Sequence, residues 1–304
     1  MQWIDNPKMV RCLPWPYRLF AFYCRSTRRV FGRIRADRRA LRGVIGLSRR
    51  LGIPDRALIE FPNKKMMVDL RDHRMVLVLD EGAGIDPETK LIQDILRPGD
   101  TFFDIGANHG THAITAAKRV GNGGRVIAFE PQARLANMVA QSADANALPQ
   151  LTVRQLALSD RAGTAEFFVP NEWSGIGGFY KNFSNLNGSQ STPVETARLD
   201  DLMAGEALPG KLVIKLDVEG HELPVLQGAE KLIRRYRPYI LVELNPATQN
   251  ASGHSGHELL THLMGLGYSR FSKPDSPDSQ QPLSELLAGS EFGNVLLHPP
   301  QDQS

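Results

Sequence analysis

Apolar residues recur along this chain in two rhythms: short β-branched or aromatic runs, and longer stretches with helical spacing. From residue 87 onward the two alternate. Residues 87–96 read as a helix that stops before Pro98-Gly99-Asp100, residues 101–105 as a strand, residues 111 onward as a helix and residues 125–129 as the next strand. A helix at 133–145, a strand at 151–156 with a hairpin partner at 164–169, and a strand at 212–218 follow. A helix at 222–235, a strand at 239–244 and a helix at 256–266 complete the series. Such alternation predicts an α/β fold, a doubly wound and mostly parallel sheet with helices on both faces. Residues 268–273 and 292–298, separated by a polar Pro/Ser-rich loop, predict a closing hairpin whose last strand runs antiparallel to the rest.

The first third of the chain has a different pattern. Residues 57–61, 65–70 and 74–79 read as three strands of a small antiparallel lead-in. Before them, Val30, Phe31, Ile34, Leu41, Val44 and Ile45 fall near helical spacing within 28–50, with arginines over much of the other face. Two readings suit this basic amphipathic helix. Its apolar stripe packs on the domain that follows, or it lies on an anionic membrane as a peripheral contact. The organisation expected is a helical extension over 1–56 and one domain over 57–304, with the lead-in at 57–81 and the core at 88–298.

Charge sharpens that division. The formal net charge of +3 is the sum of +11 in residues 1–50, where Asp5 and Asp37 are the only acids, and −8 in the remainder. Basic character therefore belongs to the extension, and nucleic acid is not an expected partner because no aromatic-interleaved basic motif accompanies it. No secretory signal pattern and no run of membrane-spanning length is visible, although an Arg-rich, acid-poor start resembles an organellar transit peptide. Cys12 and Cys24 are too few for a disulfide scaffold and suit a reducing compartment. The expected location is cytoplasmic, at the inner membrane face if residues 28–50 contact lipid.

Candidate chemistry begins at residues 101–110, a strand feeding a glycine-containing turn that opens a helix. The spacing is Asp104-x-Gly106-x-x-x-Gly110 rather than the G-x-G-x-x-G of dinucleotide sites. A carboxylate before the first glycine repels pyrophosphate and suits the ammonium of a methionine moiety, so the turn is read as a site for S-adenosylmethionine (AdoMet). Glu130, an acid at the end of the next strand, can accept hydrogen bonds from both ribose hydroxyls. A second dense stretch, residues 212–222, places Asp217, Glu219 and His221 at alternate positions after an apolar strand, facing the same cleft. Were a hard divalent cation to assist, Asp217, Glu219 and Glu243 would be its ligands, but no metal is expected. Residues 171–192, with the aromatic run around Trp173 and Tyr180, read as a lid over the acceptor. His254, His257 and His262 lack the cysteines and spacing of a zinc site and read as solvated helix residues.

Together, Asp104-Ile-Gly-Ala-Asn-His-Gly110, Phe129-Glu-Pro131, Ala157-Leu-Ser-Asp160, Leu199-Asp-Asp201, the run from Lys215 to Glu222, Leu226-Gln-Gly-Ala229 and Gly293-Asn-Val295 resemble the FkbM-type AdoMet-dependent methyltransferases over residues 88–298. The resemblance implies a seven-stranded class I methyltransferase (Rossmann-like) fold and methyl transfer to a hydroxyl of a sugar, glycolipid or natural product. It also implies that Asp104, Gly106, Asn108 and Gly110 surround the methionine part, that Glu130 binds the ribose, and that Ala157 and Leu158 lie near the adenine. For the proton on the acceptor hydroxyl, His221 is the preferred base because imidazole titrates near neutral pH. Asp217 is the second choice, or the partner of the AdoMet amino group, with Glu219 beside it. Two other functions remain open from sequence: an inactive methyltransferase fold serving as a peripheral membrane or interaction module, and a nicotinamide-dependent dehydrogenase.

Overall fold

The most apolar runs of the sequence become the middle of one sheet, because a strand buried on both faces has no polar side to alternate with. The computed structural model describes residues 7–31, 38–72, 74–82, 84, 86–170, 177–180, 189–287 and 293–300. Helices α1 (Pro7–Cys12), α2 (Trp15–Phe31) and α3 (Arg38–Arg50) precede a hairpin of β1 (Arg56–Glu60) and β2 (Lys65–Asp69), then α4 (Met75–Gly82) and α5 (Pro87–Ile95). The core continues through β3 (Thr101–Ile105), α6 (Thr111–Val120), β4 (Arg125–Phe129), α7 (Ala133–Ala145), β5 (Leu151–Arg154), β6 (Ala157–Leu158), β7 (Gly163–Pro170) and β8 (Ser189–Ala197). After α8 (Leu199–Leu202) come β9 (Leu212–Leu216), α9 (Glu222–Gln227), α10 (Glu230–Tyr236), β10 (Tyr239–Leu244), α11 (Pro246–Ser252) and α12 (Gly256–Gly265). The last elements are β11 (Arg270–Lys273), β12 (Ser276–Pro282), α13 (Ser284–Leu287) and β13 (Gly293–Leu297).

The main sheet has the order β12-β11-β13-β10-β9-β3-β4-β5. Strands β10, β9, β3, β4 and β5 are parallel, and β13 enters antiparallel between β10 and β11. Every residue of β3 and of β9 is buried. This is the Rossmann-like α/β architecture of class I methyltransferases, with eight strands rather than the expected seven. The eighth, β12, comes from the stretch read as a polar loop. Its mostly exposed Ser-Pro-Asp-Ser-Gln-Gln-Pro sequence is tolerated because an edge strand needs neither an apolar face nor an N–H at every position.

Four other elements depart from the sequence reading. The strand expected at 151–156 ends at Arg154, and residues 157–158 leave the main sheet for a small one of order β6-β8-β7. Strand β7 accordingly pairs with β8, which begins inside the segment expected as a lid, and not with residues 151–156. The helix expected at 222–235 divides at Gly228, where a Cβ would stand 2.0 Å from the Ser159 carbonyl oxygen. The third lead-in strand is instead α4. Asp72 accepts the Arg74 N–H at 2.9 Å, and Met75, Val78 and Leu79 are buried while Leu77 is exposed, a spacing of three and four residues that suits a helix.

Two main apolar clusters cover the two faces of the large sheet. A third joins α1, α2 and α3 to the hairpin and α4, so the segments expected as extension and lead-in share one core. Leu41 and Ile45 of α3 turn into it, which is the inward-packing alternative for the stripe at 28–50; residues 32–37, including Ile34, lie outside the described residues. The Tyr17 hydroxyl donates to the Leu70 carbonyl at 2.8 Å, pinning α2 to the end of the hairpin. The hairpin is fixed in turn to α7, where the Met67 N–H donates to Ser142 Oγ at 2.9 Å and Arg134 pairs with Asp69 and, at 3.5 Å, with Asp72.

Gly228→Ala is expected to lower the unfolding free energy by roughly 1–3 kcal/mol, the cost of overpacking against a backbone carbonyl. Gly43→Ala, at a helical position with nothing within 4 Å, is expected to keep or raise it. Urea titrations of both variants check the pair.

Candidate active site

The loops after β3, β4 and β9 meet at the carboxyl end of the parallel strands, the place where open α/β sheets bind ligands. They are held close by backbone contact. Gly106 follows β3 with φ +82°, and a Cβ there would lie 1.9 Å from the Asp217 carbonyl oxygen after β9. Only glycine permits both the left-handed turn and this approach. The Asp217 N–H donates to the Ile105 carbonyl at 3.1 Å, completing the join.

Glu130 sits at the tip of β4 with its carboxylate turned back onto the turn. It accepts the Asn108 N–H at 2.8 Å and the Gln132 N–H at 2.9 Å. Burial pushes this carboxyl up to about 7, against the pull of the two amides. The resulting cleft holds about 630 Å³, including space open to solvent. Gly106, Asn108, Glu130, Gln132, Ala157 and Leu158 line one part of it, with Phe129, Leu156, Phe167 and Phe179 forming an apolar slot beside them. Arg74, Asp217, Val218 and Glu219 line the remainder.

The sequence-derived residues divide accordingly. Gly106, Asn108, Glu130, Ala157, Leu158, Asp217 and Glu219 border the cleft, whereas Asp104, Gly110 and His221 are not in its lining. Asp104 lies beneath the turn, 1% exposed, with neither carboxylate oxygen hydrogen-bonded in the structure. Burial raises its pKa while Lys215, its register partner on β9, opposes the shift. Gly110 is the left-handed cap that starts α6 against Val139. His221 stands behind Phe179, ring centroids 4.3 Å apart. Its ring nitrogens meet Ser159 Oγ at 3.0 Å and the Tyr180 hydroxyl at 2.9 Å, and burial pulls its pKa down to about 4. Of the segment expected as a lid, residues 177–180 are described and Gly177 and Phe179 close one side of the cleft; Trp173 and most of the remainder lie outside the described residues.

The acidic wall has its own electrostatics. Burial works against ionisation of Asp217, but Lys215 Nζ at 2.8 Å, aided by Arg74, holds its pKa below the usual value. Glu219, whose backbone adopts φ +53°, is pushed up to about 9 by burial and by Asp217 and Glu243. Glu243 rises to about 8 through burial and the charges of Asp217 and Glu222. Carboxylate oxygens of Asp217, Glu219 and Glu243 lie within 4.8 Å of one another, close enough to share a proton or a hard cation.

Arg74 had no signal in the sequence beyond its charge, because the strand assigned to 74–79 gave no reason to aim it at the cleft. It arrives there at the residue just before α4, ion-paired with Glu81 at 3.0 Å. Phe167 was equally hidden: the strand was legible, but not that it turns one face to the ligand crevice.

These residues fit AdoMet. A buried carboxylate beneath the turn suits a methionine ammonium, Glu130 retains acceptor capacity for ribose hydroxyls, and the apolar slot of Phe129, Leu156, Phe167 and Phe179 suits a flat purine.

Residues 104–270, just over half of the chain, match the family model described as the methyltransferase FkbM domain. The hexuronic acid methyltransferase AglP of Haloferax volcanii is 28% identical over 51% of this chain and 60% of its own length. The 31-O-demethyl-FK506 methyltransferase FkbM of Streptomyces tacrolimicus is 30% identical over 66% of this chain and 81% of its own. The crystal structure of methyltransferase FkbM from Methylobacillus flagellatus KT shares 18% identity, covering 74% of this chain and 54% of that one, with a TM-score of 0.41. The chain thus spans about three fifths of the length of the first of these relatives.

A carboxyl raised on folding stabilises the fold while it keeps its proton. Glu243 therefore contributes most below its ordinary value near 4.5, and the contribution is lost as pH rises through about 8. Glu243→Gln is expected to flatten the fall in stability of the ligand-free protein between those values, measured by chemical denaturation at a series of pH values; an unchanged slope places the titration elsewhere.

Proposed function

The chain belongs to the FkbM family of AdoMet-dependent methyltransferases, and from that premise we propose that it methylates a hydroxyl group of a sugar, glycolipid or natural-product acceptor. Family membership removes the dehydrogenase reading. The observation that carries the proposal is the acidic border of the cleft, Glu130 after β4 and Asp217 after β9, with the buried Asp104 carboxylate beneath the turn, an arrangement suited to a cationic nucleoside and hostile to a pyrophosphate. The relatives named above act, by their names, on a hexuronic acid and on 31-O-demethyl-FK506, and the second name supports an oxygen acceptor.

When bound, AdoMet supplies a methyl group activated by its sulfonium. The protein's own tasks are alignment and proton removal. The Phe129, Leu156, Phe167 and Phe179 side chains form an apolar slot, and Arg74 borders the same cleft. Fixing the reactants in near-attack geometry supplies roughly 7–11 kcal/mol of the barrier. Asp217 takes the acceptor proton, because Lys215 keeps it ionised and it borders the cleft. A positioned base adds roughly 10²- to 10⁴-fold. Glu219, protonated near neutral pH, donates a hydrogen bond to the acceptor. His221 acts as a positioning residue that ties Tyr180 to Ser159 and seats Phe179.

Three measurements test this reading. Labelled AdoMet is incubated with glycan and lipid extracts and the product identified by mass spectrometry; absence of an O-methyl product from every pool overturns the acceptor assignment. Asp104→Asn and Glu130→Gln are expected to weaken AdoMet binding at least about tenfold in calorimetry, the scale of one lost charge-assisted hydrogen bond. Asp217→Asn is expected to abolish the acid limb of the pH–rate profile. His221→Ala is expected to lower turnover while leaving that limb and AdoMet affinity in place, and a displaced limb would return the base to His221.

A further inference from the structure

Helix α2 has two apolar faces. Tyr17, Phe20, Ala21 and Cys24 are buried against the hairpin and α4, as an amphipathic helix should be. Its other face is largely apolar over Trp15–Tyr23. Trp15, Leu19, Phe22 and Tyr23, at i, i+4, i+7 and i+8, are 51%, 57%, 67% and 40% exposed. Arg18, also exposed, borders them, and at the end of the adjacent α3 the exposed Leu47, with Leu51 just beyond the helix, lies in sequence beside Arg49 and Arg50. Isolated exposed apolar residues need no explanation, but aromatic and aliphatic side chains in one helical stripe do. Nothing local forces them outward, since the Tyr17 hydroxyl bond and the buried face fix the rotation of the helix.

We propose that this outer face of α2 is a docking surface for a lipid bilayer carrying anionic headgroups. The charge pattern selects that occupant. The first 50 residues carry a net charge of +11 and the remainder −8, so the cations are concentrated on the unit that bears the stripe. Tryptophan and tyrosine suit the boundary between headgroup and acyl chain, phenylalanine and leucine the layer below, and arginines the phosphates above. A symmetric contact with a second copy would instead bring the same arginines together. None of the described helices is long and apolar enough to cross a membrane, so the mode is lying on the surface. The stripe is separate in sequence from the 28–50 segment, whose Leu41 and Ile45 face inward.

The test uses the full chain with vesicles of phosphatidylcholine alone and of phosphatidylcholine with phosphatidylglycerol, read by co-sedimentation. Expected are binding to the anionic vesicles, weakening with added salt, and a loss of at least about tenfold in the double variant Leu19→Ser/Phe22→Ser. Met264→Ser, at an apolar residue of similar exposure on α12, is expected to bind as the parent does. AdoMet affinity and melting temperature serve as the folding control for both. Failure to bind anionic vesicles, or binding by the double variant equal to the parent, overturns the proposal. So does concentration-dependent dimerisation without lipid that the double variant abolishes, which assigns the stripe to self-association.

Discussion

The join between Gly106 and the Asp217 carbonyl governs the rest of the site. Two parallel strands end side by side, and their following loops diverge unless something lets the backbones touch. A hydrogen atom in place of a side chain at Gly106 provides that, and the Asp217 N–H bond to Ile105 holds it. Once those loops touch, the turn 106–110 must face β4, where Glu130 accepts its amide, and Asp217 must face β10, where Glu243 stands. The cleft is thus a consequence of how closely two loops pass, and the side chains that fill it inherit their directions from that contact.

A second consequence is electrostatic. Asp104, Glu130, Asp217, Glu219 and Glu243 collect around one crevice, with Lys215 and Arg74 as nearby cations. The protein copes by letting burial keep protons on Glu219 and Glu243 while Lys215 fixes the negative charge on Asp217.

How much of this was legible depends on the range of the interaction. The strands that became β3, β4, β9 and β10 announced themselves because full burial leaves continuous apolar runs, and the motif at Asp104 and Gly106 announced the crevice. What stayed hidden was settled by distant partners. Gly228 breaks a helix because of the Ser159 carbonyl on another loop, residues 189–197 become a strand because residues 163–170 need an edge, and residues 75–82 are helical because Met75, Val78 and Leu79 pack together into the N-terminal cluster. His221 illustrates the same point at the site. Its chemistry suggested a base, but Ser159 and Tyr180, far apart in sequence, occupy both ring nitrogens.

The N-terminal unit is mechanically continuous with the cleft. One apolar cluster runs from Met9 and Tyr17 through Ile59 and Val68 to Val78 and Leu79, and α4, which belongs to that cluster, follows directly on Arg74 at the crevice and pairs with it through Glu81. Glu81 in turn accepts a hydrogen bond from Thr111 at the start of the helix that follows the glycine turn. Whatever α2 rests on is therefore coupled through packed side chains, and not through a loose tether, to the residue that closes one end of the cleft. A helix lying on a bilayer would set the height and tilt of the opening relative to that surface. An acceptor with a lipid tail and a polar head would then meet the cleft in a restricted set of orientations, which is the entropic part of the alignment that methyl transfer requires.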